Sequence, residues 1–162
     1  PFEPGRNMVI EYKNTGEETP SAGRIKLLEK KLAGHDNFVL TYCDIICDAD
    51  IAAMHQHHVQ LKAAATVMAV QVHEPFGVMD IKAERVTAFN EKPLMRHWIN
   101  GGLFIVNKKA LGYLKVQHSF EAESMPLLIG KNQLVAYKHR GAWLGVDTYK
   151  DLMLLRSRSE TK

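Results

Sequence analysis

The hydrophobic positions along the chain follow two alternating patterns. Continuous apolar runs at 38–42, 63–72 and 102–106 predict strands, and the first has the pattern of a strand buried on both faces. Apolar residues spaced three and four positions apart predict a helix at 24–32. Further strands are predicted at 8–12 and 133–138, and two shorter ones at 78–81 and 86–89 around a turn at 82–84. Further helices are predicted from a cap at Asp48 or Asp50 through 62, and at 108–115, 124–129 and 148–158. Because strands alternate with helices, the predicted fold is α/β, a mostly parallel sheet flanked by helices.

Composition excludes several classes of protein. The chain has 162 residues, the size of one domain, and its 46% hydrophobic and 24% charged residues are ordinary for a globular protein. A net charge of +3 is too small to predict a nucleic-acid-binding face, and no apolar run approaches the roughly 20 residues of a membrane span. Cys43 and Cys47 are too few for a disulfide framework, so we expect free thiols in a reducing, cytoplasmic compartment.

Polar residues stand at the strand ends, where sheets of this class bind ligands. Asp44 follows the run at 38–42, where a carboxylate suits either a metal ion or a turn, and from position alone the turn is the more common explanation. Asn100 and Gly101 precede the run at 102–106. Two adjacent glycines let a backbone approach a ligand closely, although a tight turn is their commoner use.

A charged pair and a second aspartate extend this set. Glu91 and Lys92 follow the strand at 86–89, where a solvated turn is the commoner explanation. Lysine also binds phosphate as a point charge, and a neighbouring carboxylate can accept hydrogen bonds from sugar hydroxyls. Asp147 stands at the predicted N-cap of the last helix. If Asp44 and Asp147 converge, they provide the two carboxylates with which proteins usually hold magnesium beside substrate phosphates.

Three histidines in the predicted helix at 50–62 invite a metal interpretation. His55 and His58 share a face of the helix, whereas His57 does not. No cysteine or carboxylate lies at ligand spacing from them. We therefore expect the three imidazoles on a solvated helix face.

Five short segments, in a fixed order, carry a resemblance to a known family. They are FVLTYCD at 38–44, FGVMD at 76–80, FNEKP at 89–93, INGGLF at 99–104 and WLGVDT at 143–148. Together they resemble the sugar-phosphate nucleotidyltransferases, and within that family the glucose-1-phosphate cytidylyltransferases. TG at 15–16 and SAGRIK at 21–26 are similar to the early loop of the same subfamily.

The resemblance implies a Rossmann-like nucleotidyltransferase fold and a reaction. A nucleoside triphosphate, CTP in this subfamily, and a sugar 1-phosphate, here glucose 1-phosphate, would give an NDP-sugar and pyrophosphate, with Mg²⁺ as cofactor. It also implies a place in sugar nucleotide and polysaccharide biosynthesis, and a homo-oligomer for the full-length protein. The implied roles are metal binding by Asp44 and Asp147, catalysis and phosphate neutralisation by Lys92, and substrate binding by Glu91, Lys92, Asn100, Gly101 and Tyr42.

The sequence departs from the family pattern in two ways that matter for function. The glycine-rich signature G-G-x-G-T-R-L does not occur, so we expect residues 1–162 to be the C-terminal two thirds of a single nucleotidyltransferase domain. We also expect an exposed sheet edge and exposed apolar surface. Cys43 and Ile45 flank Asp44 where the family usually has glycines. These departures leave open a non-catalytic relative that binds a sugar phosphate or a catalytic partner.

Overall fold

The computed structural model describes residues 9–159. Its helices are α1 (Ser21–Leu27), α2 (Glu29–Leu32), α3 (Ile51–Leu61), α4 (Met125–Gly130) and α5 (Tyr149–Ser159), with a 3-10 helix at Lys108–Tyr113 and a π-helical turn at Phe120–Ser124. Its strands are β1 (Asn37–Thr41), β2 (Ile45–Cys47), β3 (Ala65–Val70), β4 (Val78–Lys82), β5 (Arg85–Asn90), β6 (Ile99–Asn107), β7 (Leu134–Lys138) and β8 (Trp143–Gly145).

The central element is a four-stranded sheet in the order β1-β6-β3-β7. Strands β1, β3 and β7 run in one direction, whereas β6 is antiparallel to both of its neighbours. For β6 to run parallel to β3, the chain between them would need a long crossover, usually a helix. It contains only the β4–β5 hairpin. It therefore re-enters the sheet at the edge where it left, with Ile99 paired to Val70. The α/β prediction is confirmed, and the sheet is mixed in direction.

Both faces of this sheet are covered by apolar side chains. Along β6, Phe104 and Val106 belong to one buried cluster, and Leu103 and Ile105 belong to the other. This assignment follows from the alternation of side chains along a strand, which sends neighbours to opposite faces. The first cluster includes residues of α1 and α4, and the second includes Met54 of α3. Strand β6 thus lies at the centre of the molecule.

Two strand predictions need correction. The predicted strand at 8–12 begins outside the described residues, and residues 9–12 form no strand; Val9 and Tyr12 are exposed there. The run at 38–42 does form a strand, but β1 is an edge strand and Val39 is 47% exposed. The predicted exposed edge is thus present at β1. A continuous apolar run indicates a strand but does not show how many neighbours the strand has.

Of two predicted helix caps, one is present and one is replaced. The Asp50 carboxylate accepts a hydrogen bond from the Ala53 backbone N–H, so Asp50 rather than Asp48 is the N-cap of α3. At α5 the cap is Thr148, which exchanges hydrogen bonds with Asp151 in a reciprocal capping arrangement. Asp147 therefore lies one residue before the cap, so its carboxylate is not used to start the helix. No helix in 9–159 is long and apolar enough to cross a lipid bilayer.

The expectation of a solvated histidine face is wrong for His58. This side chain is only 2% exposed, because α3 packs it against the sheet. Its Nδ1 lies 2.8 Å from the hydroxyl of Thr66, and its Nε2 lies 3.1 Å from the side-chain oxygen of Asn37. Burial, and then the charges of His55 and His57, hold the pKa of His58 below its usual value. The imidazole therefore serves as a neutral hydrogen-bonding group in the core.

Candidate active site

The predicted site residues at the ends of β1 and the start of β6 lie together. The backbone N–H of Tyr42 donates to the carbonyl of Gly102 at 2.8 Å, which extends the β1–β6 pairing by one residue. The side-chain amide of Asn100 donates to the hydroxyl of Tyr42 at 3.1 Å. Asn100 in turn accepts from the backbone N–H of Gly102 at 2.9 Å. Tyr42, Asn100 and Gly101 are thus held at the edge of the sheet where ligands bind in this fold class.

The glycine pair is explained by the packing around it. Gly102 has φ of +73°, and a Cβ there would lie 2.9 Å from the Tyr42 ring and from Ile45. At Gly101 a Cβ would lie 2.9 Å from the terminal methyl of Met68. The protein's own side chains therefore occupy the space beside the two glycines. The contact of Gly101 with a substrate stays a prediction.

Glu121 joins this cluster, and the sequence analysis missed it. The Tyr42 hydroxyl donates to Glu121 at 2.5 Å, and the hydroxyls of Ser21 and Ser119 donate to the same carboxylate at 2.7 and 3.0 Å. Burial, together with the hydrogen bond to Glu121, raises the pKa of Tyr42 to about 12. Burial also pushes the pKa of Glu121 upward, but the hydrogen bonds from Tyr42 and the two serines outweigh it and leave that pKa below its usual value. The phenol is therefore protonated and the carboxylate ionised at neutral pH.

No local motif could have identified Glu121. It lies in the first turn of the π-helical segment, 79 positions from Tyr42. The only sequence signal is a polar run at the start of a helix, which is also the ordinary pattern of an N-terminal cap. Its role as an acceptor depends on tertiary contacts.

A short antiparallel ladder that the sequence did not predict brings the two aspartates together. Strands β2 and β8 pair with Ile45 opposite Gly145. The backbone N–H of Val146 then donates to the carbonyl of Asp44 at 2.8 Å. Asp44 and Asp147 thus leave the same end of one ladder. The predicted convergence of these residues is present at the level of the backbone.

Both aspartates suit a cation in their chemistry. Their side chains are exposed, and neither forms a salt bridge in the described part of the chain. Residues 9–159 contain no group of three or more histidine, cysteine, aspartate or glutamate side chains placed to hold a metal. Two free carboxylates without a full protein cage are the usual provision for Mg²⁺, which keeps waters and substrate oxygens as its other ligands. The donor set therefore fits magnesium, and Mg²⁺ binding stays a prediction.

Glu91 and Lys92 lie on a different element from the rest of the set. They follow β5, in the segment that runs back along the residues after β3. The ring Nδ1 of His73 lies 2.7 Å from the Lys92 carbonyl, and the Glu74 N–H donates to the Pro93 carbonyl at 2.8 Å. Lys92 has φ of +45°, and both Glu91 and Lys92 are exposed. Within 9–159 no hydrogen bond or ion pair connects this pair to the other predicted site residues.

Trp143 fixes the ladder to the central sheet. Its indole N–H donates to the carbonyl of Gly101 at 2.9 Å. Since Trp143 is also paired with Cys47 in the β2–β8 ladder, one side chain joins the aspartate region to the start of β6. Cys47 is half-buried, Cys43 is exposed, and both are free thiols. The arrangement offers two carboxylates, an amide and a phenol at one edge of the sheet.

Comparison with known proteins identifies the family. The model of the family described as Nucleotidyl transferase matches residues 3–161. The chain belongs to the nucleotidyl transferase family. The match runs through all five segments on which the resemblance rests, so their order reflects a family relationship rather than chance.

Curated relatives include enzymes of two nucleotide specificities. The chain is 34% identical over 146 residues to "Probable glucose-1-phosphate cytidylyltransferase" of Bacillus subtilis, covering 89% of this chain and 57% of that protein. It is 31% identical to the glucose-1-phosphate cytidylyltransferase of Salmonella typhimurium, covering 88% and 56%. It is also 30% identical to the mannose-1-phosphate guanyltransferase of Hypocrea jecorina, covering 94% and 44%. The chain therefore spans a little over half the length of the two bacterial relatives and less than half that of the fungal one.

A solved structure supports the same fold. HddC from Yersinia pseudotuberculosis superposes with a TM-score of 0.63 at 21% identity, covering 93% of this chain and 65% of that one. The same protein complexed with GMP-PN gives a TM-score of 0.61. This likeness shows a Rossmann-like nucleotidyltransferase fold and carries no information on the substrate.

Proposed function

We propose that this chain forms part of an enzyme that transfers a cytidylyl group from CTP to glucose 1-phosphate, giving CDP-glucose and pyrophosphate. The observation that carries the proposal is the β2–β8 ladder, which brings Asp44 and Asp147 to one end of a short sheet. Trp143 of that sheet donates to the carbonyl of Gly101, the residue after Asn100. Cytidylyl transfer is favoured by the names of the two bacterial relatives, and the fungal guanyltransferase is the reason to test other nucleotides.

The reaction places clear demands on the protein. An oxygen of the sugar phosphate attacks the α-phosphorus of the triphosphate, the bond from that phosphorus to the bridging oxygen breaks, and pyrophosphate leaves with the electron pair. Positioning and charge neutralisation provide most of the rate enhancement in such a step. Magnesium, when held by Asp44 and Asp147, would supply positive charge to the phosphates.

The chain's own residues would meet the remaining demands. Lys92 carries a cation with no carboxylate partner in the described residues, which suits the phosphate of the sugar substrate. Glu91 and Asn100 would accept and donate hydrogen bonds to sugar hydroxyls. Tyr42, protonated at neutral pH and bonded to Glu121, holds the Asn100 amide in place. We expect the protein to act in sugar nucleotide biosynthesis and to form a homo-oligomer.

The test is pyrophosphate release by the longest natural protein that contains these residues. Glucose 1-phosphate, Mg²⁺ and each of CTP, GTP, UTP and dTTP would be supplied in turn. Replacing either aspartate of the ladder by asparagine should lower kcat by about a hundredfold or more, because charge at the phosphates is lost. Asp80→Asn, on the exposed hairpin, is the matched control and should leave kcat unchanged. If none of the four nucleotides yields pyrophosphate, the catalytic proposal is wrong.

A second candidate is a non-catalytic subunit that binds a sugar phosphate or a catalytic partner. It is favoured by Cys43 and Ile45, whose side chains flank Asp44. Calorimetry with glucose 1-phosphate separates the two candidates. Binding that Lys92→Ala abolishes and Lys82→Ala preserves, in a protein that releases no pyrophosphate, would support the non-catalytic subunit. Binding unaffected by Lys92→Ala would contradict the role of this residue in both candidates.

A further inference from the structure

A cleft that the predicted site does not include opens beside it. Its volume is about 200 Å³, and Gln71, Leu94, His139, Arg140 and Trp143 contribute to its walls. Gln71 follows β3, and His139 and Arg140 follow β7, so the cleft lies at the carboxyl ends of two strands that run in the same direction. This is the position at which open α/β sheets bind ligands. We refer to it as the Arg140 cleft.

The Arg140 cleft shares a wall with the candidate active site. Trp143, which lines the cleft, donates its indole N–H to the carbonyl of Gly101 at 2.9 Å. On the other side, Leu94 lines the cleft two residues after Lys92. The Met95 N–H donates to the Val72 carbonyl at 2.8 Å, which fixes the segment that carries Leu94 against the chain after β3. The cleft thus adjoins Gly101 through Trp143, and its Leu94 wall follows Lys92 closely along the chain.

The charge around the cleft is positive. The Nζ of Lys138 lies 5.3 Å from the ring centroid of Trp98, and the guanidinium carbon of Arg140 lies 5.1 Å from it. Neither cation forms a salt bridge within 9–159. The acidic Asp48 also borders the cleft, and its carboxylate lies 3.0 Å from Nε2 of the lining residue His139. Lys138 and Arg140 lie beside one tryptophan without a carboxylate partner in the described residues, and their charge can therefore attract an external anion.

The tryptophan prepares the guanidinium of Arg140 for binding. A cation over an aromatic face is held by the ring quadrupole, which restricts the side chain without using its N–H donors. Guanidinium carries five donors in a planar fork that fits two oxygens of one phosphate group. Arg140 is exposed, and no hydrogen bond of its side chain to protein is present in the described part of the chain. Its donors are therefore available in a fixed region of the cleft.

We propose that the Arg140 cleft is a phosphate-binding subsite, with Arg140 as the direct ligand and Lys138 as supporting charge. The inference rests on the proposed function only for the source of the phosphate, which is either the sugar phosphate or the triphosphate and its pyrophosphate product. Phosphate binding itself is measured without turnover. A failure of the enzymatic proposal and a failure of this one are therefore distinguishable.

The experiment is isothermal titration calorimetry on the chain with inorganic pyrophosphate, in the presence of a chelator. Removing divalent cations excludes binding through Asp44 and Asp147. Arg140→Ala should weaken pyrophosphate binding by about tenfold or more, because a charge-assisted bidentate contact is lost. Arg140→Lys should recover part of the affinity, since the charge returns without the fork.

Arg85→Ala is the matched control. Arg85 is an exposed arginine at the start of β5, far along the chain from the cleft, and it forms no salt bridge in the described residues. It should leave the affinity within about twofold of the parent, as general screening effects are small for a single charge. Circular dichroism of each variant checks that the fold is retained. Equal affinities of the parent and Arg140→Ala for both pyrophosphate and glucose 1-phosphate, or an equal loss in Arg85→Ala, would overturn the proposal.

A second titration with glucose 1-phosphate identifies the source of the phosphate. A loss for both ligands in Arg140→Ala supports a subsite that both substrates use in turn. A loss for pyrophosphate alone assigns the cleft to the triphosphate, and a loss for glucose 1-phosphate alone assigns it to the sugar phosphate. Trp98→Leu gives an independent check. It keeps the cations but removes their ring, and should weaken whichever ligand depends on Arg140 by a smaller factor.

Discussion

The central sheet and the β4–β5 hairpin have similar apolar sequences and opposite environments. In β3 five of the six residues are buried, whereas all five residues of β4 are exposed. Phe104 in β6 is 0% exposed, but Phe89 in β5 is 60% exposed and Ile81 in β4 is 63% exposed. Hydrophobic residues in these two regions therefore predict strands equally well. They do not report how much free energy each strand gains from burial.

The difference arises from neighbours rather than from sequence. Strands β3 and β6 each have a strand on both sides and apolar clusters on both faces. The hairpin is a separate two-stranded sheet, and a pair of strands alone has no covered face. Apolar side chains such as Ile81 and Phe89 are therefore exposed in this hairpin. Its stability comes from backbone pairing and turns, whereas that of the sheet comes from burial.

The largest expected effect is on the free energy of unfolding, when a phenylalanine is replaced by alanine in the central sheet and in the hairpin. Phe104→Ala should lower the free energy of unfolding by about 3–5 kcal/mol, because it leaves a cavity in a closely packed core. The Phe104 ring contacts those of Tyr42 and Phe120, with centroid distances of 5.9 and 5.3 Å. Urea denaturation followed by circular dichroism measures the change. If Phe104→Ala does not fold, Phe104→Leu should still show a loss of about 1 kcal/mol.

Phe89→Ala is the control for this comparison. It should cost under about 1 kcal/mol, since exposed side chains contribute little to stability. A loss as large as that of Phe104→Ala would mean that the hairpin is covered in solution, and the contrast between the regions would fail.

A smaller effect is expected at the glycines. Gly102→Ala should lower the free energy of unfolding by about 2 kcal/mol, because alanine disfavours positive φ and its Cβ meets Tyr42 and Ile45. Gly112→Ala, in the 3-10 helix, should be neutral or slightly stabilising, since nothing lies within 4 Å of the added Cβ. Thermal unfolding of the two variants makes the measurement. Equal melting temperatures would show that the backbone at Gly102 relaxes without cost.

The smallest effect is a pH dependence of the free energy of unfolding, which arises from His58 in the helix that packs on the central sheet. The pKa of His58 is lowered in the folded protein, so the unfolded chain binds its proton more readily. This contribution to stability is present above the unfolded pKa near 6.5 and is lost as pH falls below it. The free energy of unfolding should therefore fall between pH 7.5 and 5.5. His58→Gln should flatten the fall, whereas His35→Gln, at an exposed position, should leave it unchanged.

Much of the fold was predictable because its signals are local. The runs at 63–72 and 102–106 became β3 and β6, and one of the two candidate aspartates, Asp50, caps α3. The hairpin turn between β4 and β5 was also predicted from local pattern. Edge position, the direction of β6 and the burial of His58 were not predictable, since each depends on which elements become neighbours.

The site shows the same limit. Asp44, Asn100 and Asp147 were selected because they follow or precede apolar runs. That selection needs only the position of each strand end, because sheets of this class bind ligands there. Glu121 was missed because its partner Tyr42 is distant in sequence and no motif connects them. Strands β2 and β8 have three residues each, too few for a periodic pattern to be recognised.

The ladder that carries the aspartates has a consequence for the order in which the protein is made. About a hundred residues separate its two strands, and at the usual 5–20 residues per second a ribosome needs roughly 5 to 20 s to produce them. During that interval Asp44 is already synthesised, but the strand that would pair with it does not yet exist. A nascent chain therefore carries only one of the two aspartates, and this part of the site can assemble only after the second strand leaves the exit tunnel.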